Sequence, residues 1–208
     1  MKTNLFFLIL SLFSLVGLAQ EQKMSNSEIN SFKATVEKET KSIKTLKTDF
    51  IQYKHMDFLS KDIETSGKMA FKAPNILNWQ YTKPYQYSII FKNNKIYIND
   101  QGNKSTVDAK SKMFEKINKL IVGSVSGNMF DDNEFSISYF KTKEFYIAKL
   151  APKTTTVKKY IKEVDLYFPI NDATVSQVKL IEPSGDFTRI VFKNKQINVK
   201  IDESAFIN

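Results

Sequence analysis

The chain has 208 residues, no cysteine and a formal net charge of +9. Without cysteine there is no disulfide and no thiolate for catalysis or metal binding, so the fold depends on core packing alone. The basic charge suggests nucleic acid as a partner, but Arg189 is the only arginine, and base recognition relies on the bidentate guanidinium. We therefore expect no nucleic-acid partner and interpret the lysines as a solvated surface.

Residues 1–19 have the pattern of a signal peptide. Lys2 precedes an apolar run that ends in Gly17-Leu18-Ala19, a small-x-small cleavage site. The run is shorter than the roughly 20 residues of a membrane span. We predict cleavage after Ala19 and export of the mature chain. Because Gln20 stands where a bacterial lipoprotein carries its lipid-modified cysteine, we expect no lipid anchor.

Hydrophobic spacing predicts one helix near the start of the mature chain and another in its middle. Ser25 or Ser27 can cap the first helix, whose apolar residues recur at helical spacing. The second helix spans residues 111–124 and ends at Gly123. Its apolar face comprises Met113, Phe114, Ile117, Leu120 and Ile121.

Elsewhere the apolar residues alternate with polar ones, which predicts about eleven strands. Most of the connections are too short for a crossover helix, so the sheet should be antiparallel. No repeat or change in composition divides residues 20–208, which we interpret as one domain. A sheet of this size should curl, and two amphipathic helices can cover only one side of it. We predict an incomplete, open antiparallel β-barrel with an α-helical lid. The predicted strands are 46–58, 63–72, 76–81, 85–92, 95–99, 104–108, 135–139, 144–150, 160–168, 174–182 and 187–192.

Residue types that carry catalysis are scarce. His55 is the only histidine, and no Gly-x-Ser-x-Gly motif accompanies it. The acidic run 131–134 lacks the spacing of a calcium loop and is interpreted as a turn. Glu163 and Asp165 alternate with apolar neighbours, as on the outer face of a strand. We predict that the protein is not an enzyme and has no cofactor and no metal site.

The chain is rich in aromatic residues, with 17 phenylalanines and nine tyrosines. A filled core explains this composition most simply. A hollow barrel that binds apolar ligands is the alternative.

The segment Pro74-Asn75-Ile76-Leu77-Asn78-Trp79 resembles the signature of the LolA family, periplasmic carriers of outer-membrane lipoproteins. Phe50-Ile51-Gln52 and Leu150-Ala151-Pro152 resemble two further family segments. The resemblance implies an incomplete barrel of eleven strands with a helical lid. It also implies a periplasmic chaperone that binds lipoprotein acyl chains in a hydrophobic cavity and shuttles them from the inner to the outer membrane. The implied partners are acylated lipoproteins, an inner-membrane lipoprotein-releasing ABC transporter and an outer-membrane acceptor, and we expect a monomer.

If the barrel is hollow, residues of one strand face and of the lid should line its cavity. Alternation shows which residues share a face, but not which face is concave. The candidates are Phe50, Met69, Phe71, Leu77, Trp79, Tyr87, Ile89 and Phe91 from the strands, with Met113, Phe114, Ile117 and Ile121 from the lid.

One position departs from the family pattern. The family commonly has an arginine directly before the Pro-Asn step, where it is thought to hold the lid shut, whereas this chain has Ala73. How the lid is held therefore stays open. Three hypotheses remain: a lipoprotein carrier, a carrier of another lipid or lipid-linked pigment with the same fold, and a protein with a solid core.

Overall fold

The computed structural model describes residues 20–108 and 130–208. These residues contain twelve strands, two α-helices and one 3-10 helix, Glu203–Phe206. The helices are α1, Asn26–Lys41, and α2, Thr155–Lys158. The predicted signal peptide and the predicted helix 111–124 lie outside the described residues. The strands are β1 Gln22–Lys23, β2 Thr45–His55, β3 Ile63–Lys72, β4 Ile76–Lys83, β5 Tyr87–Lys92, β6 Lys95–Asp100, β7 Asn103–Asp108, β8 Phe135–Lys141, β9 Phe145–Pro152, β10 Glu163–Pro169, β11 Gln177–Ile181 and β12 Phe187–Ile197.

All twelve strands belong to one antiparallel sheet, in the order β1-β8-β9-β10-β11-β12-β2-β3-β4-β5-β6-β7. Neighbours in the sheet are neighbours in sequence except at two places, where β1 pairs with β8 and β12 pairs with β2. Within the described residues β1 and β7 stand at the two edges, so the sheet is not closed.

The open antiparallel sheet is confirmed, but the strand count of eleven was one too low. The additional strand is β1, which pairs through Gln22 with Lys141 and through Lys23 with Phe140. Two residues are too few to show an alternating pattern, so only the pairing with β8 defines this strand. The short helix α2 was also absent from the prediction.

Helix α1 begins as its sequence predicts. Ser25 is the N-cap: its hydroxyl accepts a hydrogen bond from the Glu28 amide at 3.4 Å, and the Glu28 carboxylate accepts one from the Ser25 amide at 2.8 Å. This reciprocal pair is a capping box. Lys141 of β8 also donates to Glu28, and these bonds lower the pKa of that carboxyl to about 2. The start of α1 is thereby joined to β8.

The buried side of α1 packs on one face of the sheet, which we call the inner face. Phe32 of α1 contacts the rings of Tyr139, Tyr146 and Phe168, with ring centroids 5.0 to 6.2 Å apart. These residues belong to a first apolar cluster, which involves β8 to β11. A second cluster is formed mainly by β2 to β6, and Phe192 of β12 packs against both. The inner face is thus apolar across most of the sheet.

Candidate functional site

The strand register places all eight predicted strand residues on the inner face. One row across the sheet joins Phe71, Leu77 and Phe91, and the next joins Met69, Trp79 and Ile89. A third row runs from Phe50 through Gly67 and Tyr81 to Tyr87. Period-two alternation therefore identified one continuous surface on β2 to β5, and the contact with α1 shows which side of the sheet it occupies. Their role in binding stays a prediction.

Most of this surface is tightly packed. Phe50, Met69, Phe71, Leu77, Trp79 and Phe91 are each 6% exposed or less. Tyr87 and Ile89 are only partly buried. Between the two clusters lies a cavity of only about 10 Å³, lined in part by Met69 and Phe192. The predicted lid residues Met113, Phe114, Ile117 and Ile121 lie outside the described residues, so their relation to this surface is still a prediction.

An aromatic group occupies the centre of the surface. The rings of Phe50 and Trp79 are 4.2 Å apart, and Tyr81 meets Phe50 edge to face at 5.2 Å. Gly67 makes this arrangement possible, because a Cβ there would lie 2.8 Å from the Phe50 ring and 1.9 Å from the backbone oxygen of Gln80. A glycine opposite a large ring allows the ring to lie over the strand.

Polar groups border this aromatic group. The Tyr81 hydroxyl donates to Gln52 Oε1 at 3.0 Å, and burial raises the pKa of Tyr81. The indole nitrogen of Trp79 and the hydroxyl of Thr65 are buried, and neither meets the geometry of a hydrogen bond with any described residue. The Trp79 N–H nevertheless lies close enough to the Tyr81 hydroxyl to lower its pKa, although burial outweighs this effect.

Gln52 and Thr65 were missed because only aliphatic and aromatic residues and methionine were taken as sequence candidates, and Tyr81 was missed although it alternates with Leu77 and Trp79. Each can be found by counting: Gln52 is two residues after Phe50, Tyr81 is two after Trp79, and Thr65 stands opposite Gln52 in the register. Residues two apart on a strand share a face.

A larger groove of about 580 Å³ lies beside α1, between the helix and the loop that follows β10. The lining includes the apolar residues Phe32, Val36 and Ile43 together with polar residues of α1 and of the loop. Lys195 borders the small cavity and donates a hydrogen bond to Asp172 Oδ2 at 2.6 Å, and Asp172 lines the groove. A bulge in β12 between Lys193 and Gln196 turns Lys195 toward the loop. No sequence pattern indicated this arrangement.

The residues considered for catalysis have structural surroundings. His55 Nδ1 lies 2.8 Å from Asp62 Oδ1, and its ring stacks on Phe187 with centroids 4.6 Å apart. Asp131 Oδ1 accepts a hydrogen bond from the Asn133 amide at 3.0 Å, which confirms the predicted turn. Asp165 faces outward as predicted but is only 4% exposed, and this burial, together with Glu163, raises its pKa to about 7.

Among residues 20–108 and 130–208, no three histidine, aspartate or glutamate side chains come together in a way that could hold a metal ion. No helix in these ranges is long and apolar enough to cross a membrane.

The protein belongs to the class of open antiparallel β-sheet proteins. Its sheet has an apolar inner face, and an amphipathic helix packs on that face. Within that class the chain belongs to the LolA family, because the family model described as outer membrane lipoprotein carrier protein LolA matches residues 41–207. This confirms the resemblance drawn from the Pro-Asn-x-x-Asn-Trp segment.

The chain is also similar to individual proteins. The chain is 25% identical over 171 residues to the outer-membrane lipoprotein carrier protein of Methylococcus capsulatus, covering 79% of this chain and 77% of that protein. The complex of MucA and MucB from Pseudomonas aeruginosa is similar in fold, with a TM-score of 0.51 and 7% identity over 87% of this chain and 61% of that one. A LolA superfamily protein from Nitrosomonas europaea matches with a TM-score of 0.44 and 8% identity, covering 84% and 97% of the two chains.

Proposed function

We propose that this protein is a periplasmic carrier that binds the acyl chains of lipoproteins on its inner face and moves them from the inner to the outer membrane. It would receive them from a lipoprotein-releasing ABC transporter and deliver them to an outer-membrane acceptor. Family membership and the lipoprotein carrier from Methylococcus capsulatus support this proposal. Export, cleavage after Ala19 and a monomeric state are parts of the same proposal.

The observation that carries the proposal is the continuous apolar surface on β2 to β6. Three adjacent rows of the sheet present large apolar or aromatic side chains on one face. Each methylene of an acyl chain contributes about 0.8 kcal/mol when it leaves water, so a single chain costs on the order of 10 kcal/mol to hold in solution. A surface of this kind can offset that cost.

The packing of this surface implies that binding requires an opening movement. Leu77 and Phe50 are 0% and 1% exposed, so an acyl chain can contact them only after neighbouring groups separate. Tyr87 and Ile89 are partly exposed and would be the first to meet the ligand. A carrier that closes on itself when empty shields its apolar surface from water, and a ligand shifts it to the open form by binding that form better.

A second candidate is a carrier of another lipid or lipid-linked pigment. Ala73 favours considering it, because this residue occupies the position of the family's arginine. Ala73 packs against the second apolar cluster, and its amide donates to the Lys44 carbonyl at 2.8 Å. A methyl side chain cannot make the hydrogen bonds of a guanidinium, so retention of the ligand here must depend on other groups.

Identifying the bound molecule tests both candidates. The mature protein is purified from the periplasm of its host and the co-purifying molecules are identified by mass spectrometry. An acylated lipoprotein supports the first candidate, and a free lipid or pigment supports the second. An empty protein that also fails to bind a fluorescent fatty acid would contradict both.

Two adjacent substitutions on β5 show whether the inner face is the binding surface. Ile89→Glu places a charge at a partly buried inner position and should abolish ligand binding. Ser88→Glu is the matched control, because Ser88 is also partly buried but points to the outer face. Equal binding by both variants would show that the ligand lies elsewhere.

A further inference from the structure

Two polar groups on the inner face are buried without a hydrogen bond of good geometry to any described residue, although the Trp79 N–H lies near the Tyr81 hydroxyl, which itself donates to Gln52. Trp79 is 5% exposed, and neither its indole nitrogen nor the Thr65 hydroxyl forms a hydrogen bond to the described residues. Buried donors are normally satisfied, and leaving one unpaired costs roughly 1–3 kcal/mol. An unpaired donor in a binding surface indicates a ligand group that accepts its hydrogen bond.

The surroundings of Trp79 limit the chemical class of the hydrogen-bond acceptor. Trp79 is surrounded by Phe50, Tyr81 and Phe192, with ring centroids 4.2 to 6.4 Å away. Hydrocarbon chains offer no acceptor, so a purely apolar ligand would leave the indole N–H unpaired. The acceptor must belong to a ligand that is otherwise apolar at this point.

The charges nearby favour a neutral acceptor over a carboxylate. Lys54 lies two residues beyond Gln52 on the same face of β2, and its ammonium group is already bonded to Glu182. A buried carboxylate requires a compensating cation, whereas a carbonyl oxygen is satisfied by neutral N–H and O–H donors. An ester or amide carbonyl meets both conditions.

We propose that Trp79 Nε1 and Thr65 Oγ1 donate hydrogen bonds to the carbonyl oxygens by which acyl chains are joined to their headgroup. The inner face then recognises ester- or amide-linked chains, and not hydrocarbon alone. This rests on the proposed function, because it assumes that acyl chains occupy the inner face. It adds a polar site that fixes how deeply the chains enter.

A comparison of ester and ether lipids tests the proposal. Binding of a dipalmitoylglycerol ester and of the dihexadecylglycerol ether, which has no carbonyl groups, is measured by displacement of a fluorescent fatty acid. We expect the wild type to bind the ester about tenfold more tightly, because two hydrogen bonds are lost with the ether. Equal affinities for the two lipids overturn the proposal, whereas binding of neither lipid contradicts the proposed function itself.

Three variants assign the preference to these residues. Trp79→Phe keeps a ring but removes the N–H, and Thr65→Val removes the hydroxyl with little change in shape. Each should reduce the ester-to-ether affinity ratio. Thr48→Val is the matched control, because the Thr48 hydroxyl faces inward but already donates to the Lys193 carbonyl at 2.8 Å. A ratio that stays at its wild-type value in both Trp79→Phe and Thr65→Val overturns the assignment, even if one of them is unstable.

Discussion

Substituting Gly67 by alanine tests the packing of the inner face most directly. The new Cβ would lie 1.9 Å from the Gln80 backbone oxygen and 2.8 Å from Phe50 Cζ, both far closer than van der Waals contact. The oxygen belongs to the backbone of β4 and cannot rotate away, so β3 and β4 must separate or twist. Overpacking of a core costs about 1–3 kcal/mol, and a clash with backbone falls at the upper end of that range. We expect Gly67→Ala to lower the free energy of unfolding by about 3 kcal/mol.

Urea unfolding followed by tryptophan fluorescence measures this change, because Trp79 is the only tryptophan and lies beside Phe50. Gly102→Ala is the control. Among the described residues nothing lies within 4 Å of a Cβ at Gly102, and its φ of +97° imposes only a conformational cost of about 1–2 kcal/mol. If Gly67→Ala costs no more than Gly102→Ala, the close approach of β3 and β4 is wrong.

Three other results are expected. Leu77→Glu should unfold the protein, since Leu77 is 0% exposed. Ile89 is partly exposed, so Ile89→Glu should retain the circular dichroism spectrum of the wild type. A folded Leu77→Glu variant would contradict the packed surface. Asp165 has a pKa of about 7 against an ordinary value of 3.8, so the folded state holds its proton more tightly and the free energy of unfolding should fall by about 4 kcal/mol as the pH rises from 4 to 8. Asp165→Asn should remove most of that fall in urea titrations at each pH, and an unchanged pH profile would refute it. Ser25→Ala should cost about 1 kcal/mol through loss of the N-cap, whereas Ser27→Ala, inside the helix, should cost less.

Much of the architecture could be predicted because it depends on local patterns. The strand Ile63–Lys72 has the predicted bounds, and α1 has one of the two predicted caps. Side chains alternate along any extended chain, so Leu77 and Trp79 of β4, or Ile89 and Phe91 of β5, could be assigned to one face of their strand without knowing which strands pair. Strand β1 could not be predicted, because two residues have no period and their conformation depends on β8.

The candidate site was predicted in its apolar part and missed in its polar part. Aromatic and aliphatic residues in alternation indicate a buried surface, and the structure brings them together. The hydrogen bond between Tyr81 and Gln52 connects residues 29 positions apart, and no local pattern predicts such a contact. The sequence also did not decide whether this surface is tightly packed or lines a hollow barrel, because filled and hollow barrels have the same alternation.

By itself, the sequence determined which residues form strands, which of them share a face and which family they resemble, because these properties follow from neighbours along the chain. Only the tertiary structure decided which face receives α1, that β12 joins β2, and that Asp165 is buried on the outer face despite its charge. Each of these depends on contacts between distant segments, whose energies exist only after the chain has folded. The tertiary structure alone also shows that the Trp79 and Thr65 donors are buried and form no hydrogen bond to a described residue, because burial and bonding partners depend on the folded surroundings.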